Sequence, residues 1–335
     1  MASPPIEPVL VGSGGAAQAL RHALALFPED VAAPRQVPRD APLPPPHPER
    51  SLLVLASPHA LHAPRLLEAA GLGYRHAICE KPAAVDLDQL RALDDLAMQV
   101  WVCHGYRLMW GPEELRRAWS EGRFGRVHAV EGRYWQAGVV RQPAARGWKD
   151  DPALGGRFDV LLDLATHWAD LMVFLTGVTP ASEGVRVRRW YANAPSPHRD
   201  THVHLAMEHG ETATFGSISK TVHGAGNHLE LHVLGERASA SWRFAEPDQI
   251  VWGEGRERRT QVRAERELPA RPSPFHGLGW MEGYVRLVAE VVGLLREGRP
   301  SRAPTLAEHR LVLRALLEAA DAEIEEAARP QPRAT

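Results

Sequence analysis

Cysteine, long apolar runs and an excess of charge of one sign are all missing or scarce in this sequence. The two cysteines, Cys79 and Cys103, each end a short apolar run, so we expect buried thiols of a reducing compartment and not a disulfide framework. No apolar run approaches the roughly 18 residues of a membrane helix, and no basic segment followed by an apolar one is seen near the first residue. A cytoplasmic protein that does not enter a membrane is therefore expected.

The charge balance argues against a nucleic-acid partner. Lysine and arginine together number 39 against 41 acidic residues, and the formal net charge is −2. Arginines cluster near residues 256–266, but glutamates are interleaved with them. Such mixing is typical of a solvated strand or loop face and not of a phosphate-binding stripe.

The first residues have the pattern of a nucleotide-binding turn. Residues 9–11 are apolar and are followed by Gly12, Ser13, Gly14 and Gly15, after which apolar residues recur at helical spacing. Glycines at such a turn let the backbone approach a pyrophosphate, and the helix N-terminus offers unpaired amides to it. The alternative is a plain turn between a strand and a helix.

The next segment departs from the pattern of a dinucleotide-binding fold. A second strand ending in Asp or Glu is expected about 20 residues after the glycines. Residues 34–48 instead contain seven prolines, which do not form a helix or a central strand. We predict an extended loop here, with residues 31–33 as the remnant of the second strand. Arg35 either meets a 2′-phosphate or lies exposed in this loop.

The rest of the chain divides into two patterns. Apolar strand segments alternate with helical segments through residues 52–103, which predicts a parallel, doubly wound sheet. From residue 126 onward, segments alternating at period two predict a mostly antiparallel sheet with one solvated face, and two helices close the chain. The predicted fold class is thus α/β plus α+β. A chain of 335 residues suits two domains, and we place them at residues 1–122 and 123–328, followed by a disordered tail over 329–335.

Two polar groups of residues are candidates for chemistry. Glu80 and Lys81 follow an apolar strand, at the sheet end where open parallel sheets bind ligands, although a solvated loop is the alternative. Asp163, His167 and Asp170 share one face of a predicted helix. That spacing allows a carboxylate to orient an imidazole for proton transfer, or it is a plain surface pair.

From residue 9 to residue 328 the chain resembles the Gfo/Idh/MocA oxidoreductases. The matching motifs, in order, are the G-S-G-G-x-A turn at Gly12, Ser57-Pro58 with His62, Glu80-Lys81-Pro82, Tyr106-Arg107, Trp148-Lys149-Asp150, Gly155-Gly156 and Asp163-x-x-x-His167. The resemblance implies an N-terminal Rossmann domain, a C-terminal open-faced sheet domain and a substrate site between them. It also implies a homo-oligomer formed through the C-terminal sheet. The segment before Ser57 is shorter than the family pattern.

The resemblance implies roles for the matching residues as well. Lys81, Asp163 and His167 match the proton-transfer set, with Lys81 or His167 as the base and Asp163 orienting the histidine. The residues predicted to bind the implied cofactor, NAD or NADP, are Gly12, Ser13, Gly14, Gly15, Ser57, Pro58, His62, Glu80 and Lys81. The residues predicted to contact the substrate are Tyr106, Arg107, Trp148, Lys149, Asp163 and His167.

These observations predict an NAD(P)-dependent oxidoreductase acting on a sugar, cyclitol or related polyol. The proline-rich segment favours, as an alternative, a cofactor-poor homologue that serves as a binding or scaffold protein. An NAD-dependent glycosidase of the same family is a further alternative. A metal enzyme is a weaker one, because the pairs His202/His204 and His228/His232 share strand faces but no cysteine or carboxylate cluster joins them. We therefore expect no metal site.

Overall fold

The computed structural model describes residues 4–141, 147–191, 199–264 and 279–328. Within these ranges the chain forms two β-sheets. The first is a five-stranded parallel sheet in the order β2-β1-β3-β4-β5. Its strands are β1 (Glu7–Val11), β2 (Arg35–Val37), β3 (Ser51–Leu55), β4 (His76–Cys79) and β5 (Gln99–Val102). The predicted parallel, doubly wound N-terminal sheet is confirmed.

Helices cover both faces of this sheet. The α-helices of the described residues are α1 (Gly15–Ala25), α2 (His62–Leu72), α3 (Leu87–Ala92), α4 (Trp110–Ser120), α5 (Gly138–Arg141), α6 (Pro152–Gly155), α7 (Thr166–Thr176), α8 (Met281–Glu297) and α9 (Leu306–Ala328). Leu10 and Ile78 pack with α1 and α8 on one face of the sheet. Val11 and Leu55 belong to the core on the other face, together with α2 and α3. Burial on both faces explains why these strands are continuous apolar runs.

The second strand corrects the prediction for the proline-rich segment. The strand is not at residues 31–33, of which only Val31 forms an isolated bridge with Ile6. It is β2, within the predicted loop and between two prolines, and it pairs in parallel with β1. Proline is tolerated at this place because β2 is an edge strand, so only one of its sides needs amide donors. From residue 38 to residue 50 the backbone forms no helix or strand, as predicted.

The second sheet has eight strands in the order β13-β12-β11-β10-β6-β9-β8-β7. Its strands are β6 (Val127–Trp135), β7 (Val185–Trp190), β8 (His202–His209), β9 (Thr212–Ser219), β10 (His228–Gly235), β11 (Ser239–Arg243), β12 (Gln249–Glu254) and β13 (Glu257–Val262). Neighbouring strands are antiparallel except β6 and β9, which are parallel. The predicted mostly antiparallel sheet is confirmed, and the arginine-rich segment supplies its edge strand β13. The predicted domain boundary at residue 122 falls between α4 and β6 and stays a prediction.

Trp168 holds α7 against the inner face of this second sheet. Its indole is fully buried and lies against Gly132 of β6 and Gly216 of β9, which are partners in the ladder. A Cβ atom on either glycine would overlap the indole. The paired glycines therefore let the helix approach the sheet closely, and this approach places His167, the preceding residue, at the edge of a cleft between the two sheets.

Both cysteines, Cys79 and Cys103, are buried free thiols, as predicted. The predicted disordered tail lies outside the described residues. None of the described helices has both the length and the apolar character needed to cross a membrane.

Candidate active site

A cavity of about 1050 Å³ lies at the carboxyl ends of the parallel strands. Its wall comes from the glycine turn after β1, the loops after β3, β4 and β5, strand β6, the start of α7, and α8. Most of the predicted site residues line it. Those that do are Gly12, Ser13, Gly14, Gly15, Ser57, Pro58, Glu80, Lys81, Tyr106, Trp148, Lys149, Asp163 and His167.

One end of the cleft has the features of a pyrophosphate site. Gly12 has a φ of 109°, and a Cβ atom there would overlap the Ala56 carbonyl, so the turn requires glycine. Helix α1 begins at Gly15 with no side-chain cap, and Cβ atoms built on Gly14 or Gly15 meet nothing within 4 Å. Gly14, Gly15 and Ala16 line the cavity, so the uncapped start of α1 borders the space where a phosphate would bind. Ser57 adds a buried Oγ without a hydrogen-bond partner among the described residues. These residues fit a dinucleotide.

The end of the cleft nearest β2 is formed by residues in and after that strand. The cavity reaches Gln36, Val37, Pro38 and Arg39, none of which is acidic. Gln36 Nε2 donates to the carbonyl oxygens of Leu10, at 3.2 Å, and of Gly12. An acidic residue at this position pairs with the ribose 2′-hydroxyl of NAD, whereas arginine accommodates the 2′-phosphate of NADP. Residues 36–39 thus line this end of the cleft within the proline-rich segment, whereas Arg35 is exposed outside the cavity.

Glu80 and Lys81 end β4 at the middle of the cleft. Lys81 is buried, and its Nζ lies 2.5 Å from Asp163 Oδ1 and 2.7 Å from the Asp163 carbonyl oxygen. The hydroxyl of Tyr284, from α8, donates to Glu80 at 2.6 Å. Burial raises the pKa of Glu80 above its ordinary value and the pKa of Tyr284 well above its own. The lysine is therefore held by a carboxylate on one side while its glutamate neighbour is held by a phenol.

Asp163 binds every lysine in the chain. The sequence contains only three, Lys81, Lys149 and Lys220, among 39 basic residues. Lys149 Nζ lies 2.7 Å and Lys220 Nζ 2.5 Å from Asp163 Oδ2. Burial opposes ionisation of this carboxyl, but the three ammonium groups outweigh it and hold the pKa of Asp163 well below its ordinary value. All the lysines of the sequence therefore contact this one carboxylate, and the remaining 36 of the 39 basic residues are arginines.

The three lysines differ in their environments. Lys220 also contacts Asp159 at 2.6 Å, and the two carboxylates outweigh burial and raise its pKa. Burial lowers the pKa of Lys149, although Asp163 opposes that shift. Lys149 also has the most exposed side chain of the three, at 34%. An amine whose pKa is lowered and which reaches solvent is suited to exchanging protons with it.

The expected pairing of Asp163 with His167 is not made, and this corrects the predicted role of Asp163 as the orienter. Asp163 lies in a π-helical turn, Leu161–Ala165, directly before α7. Such a turn contains one more residue than an α-turn, so side chains four positions apart no longer share a face. His167 Nδ1 instead lies 3.3 Å from Nδ1 of His104. The histidine ring also packs against Tyr106, with the centroids 5.1 Å apart.

Tyrosine and amide side chains form the wall opposite Lys81. The hydroxyls of Tyr106 and Tyr134 lie 2.8 Å apart, and Asn227 Nδ2 donates to Tyr106 at 2.8 Å. Gln136 donates to Asn227 at 3.0 Å. On the other side the ring of His59 packs edge-on against Trp148, with 4.7 Å between centroids. Neutral hydrogen-bonding groups beside aromatic surface suit a polyhydroxylated ligand.

Two predicted site residues lie outside this cleft. Arg107 is buried and binds Asp170 at 3.4 Å and Glu308 at 2.9 Å. Burial raises the pKa of Asp170 to about 7 in spite of the guanidinium. Arg107 is therefore not placed to contact a substrate; it ties the loop after β5 to α7 and α9.

His62 is the second of these residues. Its Nδ1 lies 2.7 Å from the carbonyl oxygen of Pro82 and its Nε2 2.9 Å from that of Ser57. The ring is completely buried behind the cleft wall. His62 therefore connects the loops after β3 and β4, and it positions Ser57 and Lys81 without touching a ligand in the cleft.

Sequence reasoning missed several residues of this site. Lys220 follows β9 and reaches Asp163 in the turn before α7, and the scarcity of lysine in the sequence is the signal that could have marked it. His104 ends the segment of β5, and His309 comes from α9. The histidine pairs proposed as metal ligands lie on the second sheet away from this cleft, and no group of three His, Cys, Asp or Glu suited to a metal is found among the described residues.

A parallel sheet with a glycine turn that opens on a cleft is the arrangement of dinucleotide-binding folds, and this cleft also holds a buried lysine and a histidine. Comparisons with known proteins show what the chain is similar to. Residues 113–241 match the model described as the GFO/IDH/MocA C-terminal domain. Levoglucosan dehydrogenase of Pseudarthrobacter phenanthrenivorans is 24% identical over 316 residues, which cover 84% of this chain and 79% of that protein. The chain is thus similar to the Gfo/Idh/MocA oxidoreductases, in the domain model over residues 113–241 and in the dehydrogenase over most of its length.

Solved structures agree with this fold over nearly the whole chain. Levoglucosan dehydrogenase in complex with NADH and levoglucosan superimposes with a TM-score of 0.79 at 22% identity, covering 96% of this chain and 98% of that one. An inositol dehydrogenase homologue from Azotobacter vinelandii, complexed with NADH and myo-inositol, gives a TM-score of 0.77 at 18% identity, with coverage of 96% and 97%. The predicted fold class is confirmed.

Proposed function

We propose that this protein is an NAD(P)-dependent oxidoreductase that acts on a hydroxyl-bearing carbon of a sugar, cyclitol or related polyol. One observation carries the proposal: a single cleft joins the glycine turn, Lys81 and His167. The ligands named for the similar structures, levoglucosan and myo-inositol, support a polyol substrate.

Residues 12–15 and Ser57 would hold the pyrophosphate, and the residues after β2 would hold the adenosine. When bound, the dinucleotide supplies the hydride acceptor or donor. Lys81, Asp163 and His167 are the proposed set for proton transfer and substrate orientation. Lys81 directs two Nζ bonds at Asp163, and an ammonium has three donors, so one position is left for a substrate oxygen.

The rest of the cleft would orient the substrate. Tyr106 and Lys149 present polar atoms at one side, and the indole of Trp148 offers an apolar surface to the C–H face of a sugar ring. Lys149 also connects Asp163 to the more exposed part of the cleft. These groups bind neutral hydroxyls through hydrogen bonds and do not require an anionic substrate.

Binding and turnover test this proposal separately. We expect NAD⁺ or NADP⁺ to raise the unfolding temperature of the protein, and the reduced cofactor to show enhanced fluorescence when bound. A panel of polyols that includes levoglucosan and myo-inositol is then assayed for NAD(P)H formation. Binding of neither cofactor would contradict the proposal and support the cofactor-poor scaffold. Cleavage of an activated glycoside without net NADH formation would identify the glycosidase.

We further propose that the outer face of the second sheet joins copies of this chain. This face contains a depression of about 720 Å³ between β7, β8, β9 and β10, and Phe215 within it is 47% exposed. An exposed apolar side chain among charged neighbours is typical of an interaction surface. Light scattering after chromatography should show an oligomer in the parent protein and a smaller species for Phe215→Glu. A parent protein that runs as a monomer would contradict this.

A further inference from the structure

Three histidines lie in a row that begins at a buried backbone amide and ends at the cleft. The N–H of Ala83 lies 3.1 Å from Nε2 of His309, and both are buried. A backbone amide only donates, so this ring nitrogen must be an unprotonated acceptor. His309 in its neutral form then carries its proton on Nδ1.

The same reasoning extends to the next two rings. His309 Nδ1 lies 2.8 Å from Nε2 of His104, so the His309 proton points at His104 and that Nε2 is the acceptor. His104 must then carry its proton on Nδ1, which lies 3.3 Å from Nδ1 of His167. His167 in turn accepts at Nδ1 and carries its own proton on Nε2.

The environment of these rings keeps them neutral, so that each ring has one donor and one acceptor nitrogen. Burial lowers the pKa of His104 and of His167 well below the ordinary value, and it lowers the pKa of His309 to about 3. Nearby cations, Lys81 and Arg107 among them, act in the same direction. At neutral pH each ring therefore has one proton, and its hydrogen bonds decide whether Nδ1 or Nε2 carries it.

We propose that His309 and His104 are positioning residues: the Ala83 amide fixes which nitrogen of His309 carries the proton, and each ring then fixes the proton position of the next. His167 therefore meets the substrate as a hydrogen-bond donor through Nε2–H. Nδ1 of His167 is turned to His104, and Nε2 makes no hydrogen bond within the described part of the chain. The ring lines the cleft. Nε2 is therefore the atom available to a ligand there.

The opposite polarity would place two donors against each other. For His167 to offer an unprotonated Nε2, each proton along the chain must move to the other ring nitrogen, and His309 Nε2–H would then face the N–H of Ala83. A buried donor left without an acceptor is costly. The base for the substrate hydroxyl must therefore be another group, and Lys81 is the amine beside it. In the oxidation direction the substrate O–H bond breaks and its proton passes to the lone pair of Lys81 Nζ, while the C–H electron pair would leave as hydride to the oxidised dinucleotide of the proposed function; in the reduction direction both transfers are reversed.

The donor role of His167 towards the substrate rests on the proposed function, whereas the tautomers of the three histidines do not depend on it. The test uses protein labelled with [¹⁵N]histidine, whose two ring nitrogens give separate signals when one is protonated and the other is not. His167→Asn identifies the signals of His167 by their loss. We expect the Nδ1 signal at the position of an unprotonated nitrogen and the Nε2 signal at that of a protonated one. The reverse pattern would overturn the proposal.

Two variants of His309 test the transmission itself. His309→Gln offers an amide oxygen to Ala83 and an amide N–H to His104, so the tautomer of His167 should stay as in the parent protein. His309→Glu offers acceptors to both neighbours, so the proton of His104 should move to Nε2 and that of His167 to Nδ1. Identical His167 spectra in the two variants would contradict the transmission through His104.

A kinetic comparison tests the donor role. His167→Asn keeps a side-chain N–H donor, whereas His167→Leu removes it. We expect Asn to restore at least tenfold in kcat over Leu and to leave the pH dependence of kcat unchanged, because His167 is not the group that takes the substrate proton. Equal loss in both, together with the loss of one limb of the pH profile, would make His167 the base. If no cofactor or substrate is found, the proposed function fails, while the spectra still decide the tautomers.

Discussion

Lys81 Nζ and Asp163 Oδ1 lie 2.5 Å apart, and each of the two side chains is only 9% exposed. The cluster around this pair has an excess of positive charge, because Lys149 and Lys220 share the same carboxylate. Asp159 compensates part of the excess through Lys220. Within this cluster burial lowers the pKa of Lys149, whereas two carboxylates raise the pKa of Lys220. The ion pair thus connects the chemistry of Lys81 to the charge balance of the whole cluster.

Lys81→Arg should lower kcat by as large a factor as Lys81→Met. Arginine keeps the positive charge beside Asp163, but its guanidinium does not release a proton in the working pH range. Proton transfer by a positioned side chain contributes about 10²–10⁴-fold, so kcat should fall by about that factor in both variants. Steady-state kinetics measures the loss, and the dissociation constant of the cofactor serves as the control for an intact cleft. An Arg variant that retains most of the activity would reduce the role of Lys81 to charge alone.

Asp163→Asn should destabilise the fold by about 3–5 kcal/mol, because it leaves buried ammonium groups without their carboxylate. The pKa of Asp163 is depressed in the folded state, so its contribution is fully present above the unfolded value of about 3.9 and is lost as the pH falls through the folded value. Urea unfolding of both proteins should give a constant difference in unfolding free energy at neutral pH, which shrinks in acid.

A suitable control for this substitution is Asp321→Asn. Asp321 pairs with Arg157 at the surface, where it is 38% exposed. Exposed pairs contribute about 0–1 kcal/mol, so this variant should unfold close to the parent protein. Equal effects of the two substitutions would show that the lysine cluster tolerates loss of its carboxylate.

Arg39→Ala should weaken NADP⁺ binding by about tenfold or more and leave NAD⁺ binding nearly unchanged. Arg39 lines the end of the cleft proposed to hold the adenosine, and its present partner is the exposed Asp40, at 2.9 Å. A hydrogen bond to a charged group contributes about 1.5–3 kcal/mol, which corresponds to at least tenfold in affinity. Titration calorimetry gives both dissociation constants. Arg35→Ala is the matched control, because Arg35 is exposed outside the cleft. If the parent protein prefers NAD⁺, this assignment of Arg39 is wrong.

The sequence located those parts of the site that end a periodic segment. The glycine turn and Lys81 follow apolar strands, so their places at the sheet end followed from the pattern alone. Lys220 and His309 could not be found that way, because β9 and α9 bring them to the cleft only through tertiary packing. The relation of Asp163 to His167 was missed for a local reason, since a helical spacing assumes regular α-turns and the π-turn breaks it.

The edge strand was missed for a different reason. Proline counts predicted a loop, but prolines that flank a three-residue strand do not interrupt its hydrogen bonds to one neighbour. The low strand propensity of proline reflects its missing amide donor, which matters most in a central strand. An edge strand has a neighbour on one side only and therefore needs fewer amide donors. The second sheet was predicted closely, because its period-two pattern is long and is repeated in every strand.

His309→Gln should flatten the loss of stability in acid. Burial lowers the pKa of His309 from 6.5 to about 3, so between these values the unfolded state binds a proton that the folded state does not. Stability from this residue is therefore complete above pH 6.5 and falls as the pH decreases, by up to about 1.4 kcal/mol per pH unit. Glutamine binds no proton, so the variant should lose less unfolding free energy between pH 6.5 and pH 5. Urea unfolding across that window measures both slopes, with His22→Gln as a control at an exposed histidine of α1. Parallel slopes for the parent protein and the His309 variant would mean that His309 binds its proton in the folded state, and the neutral chain of rings from Ala83 to His167 would not exist.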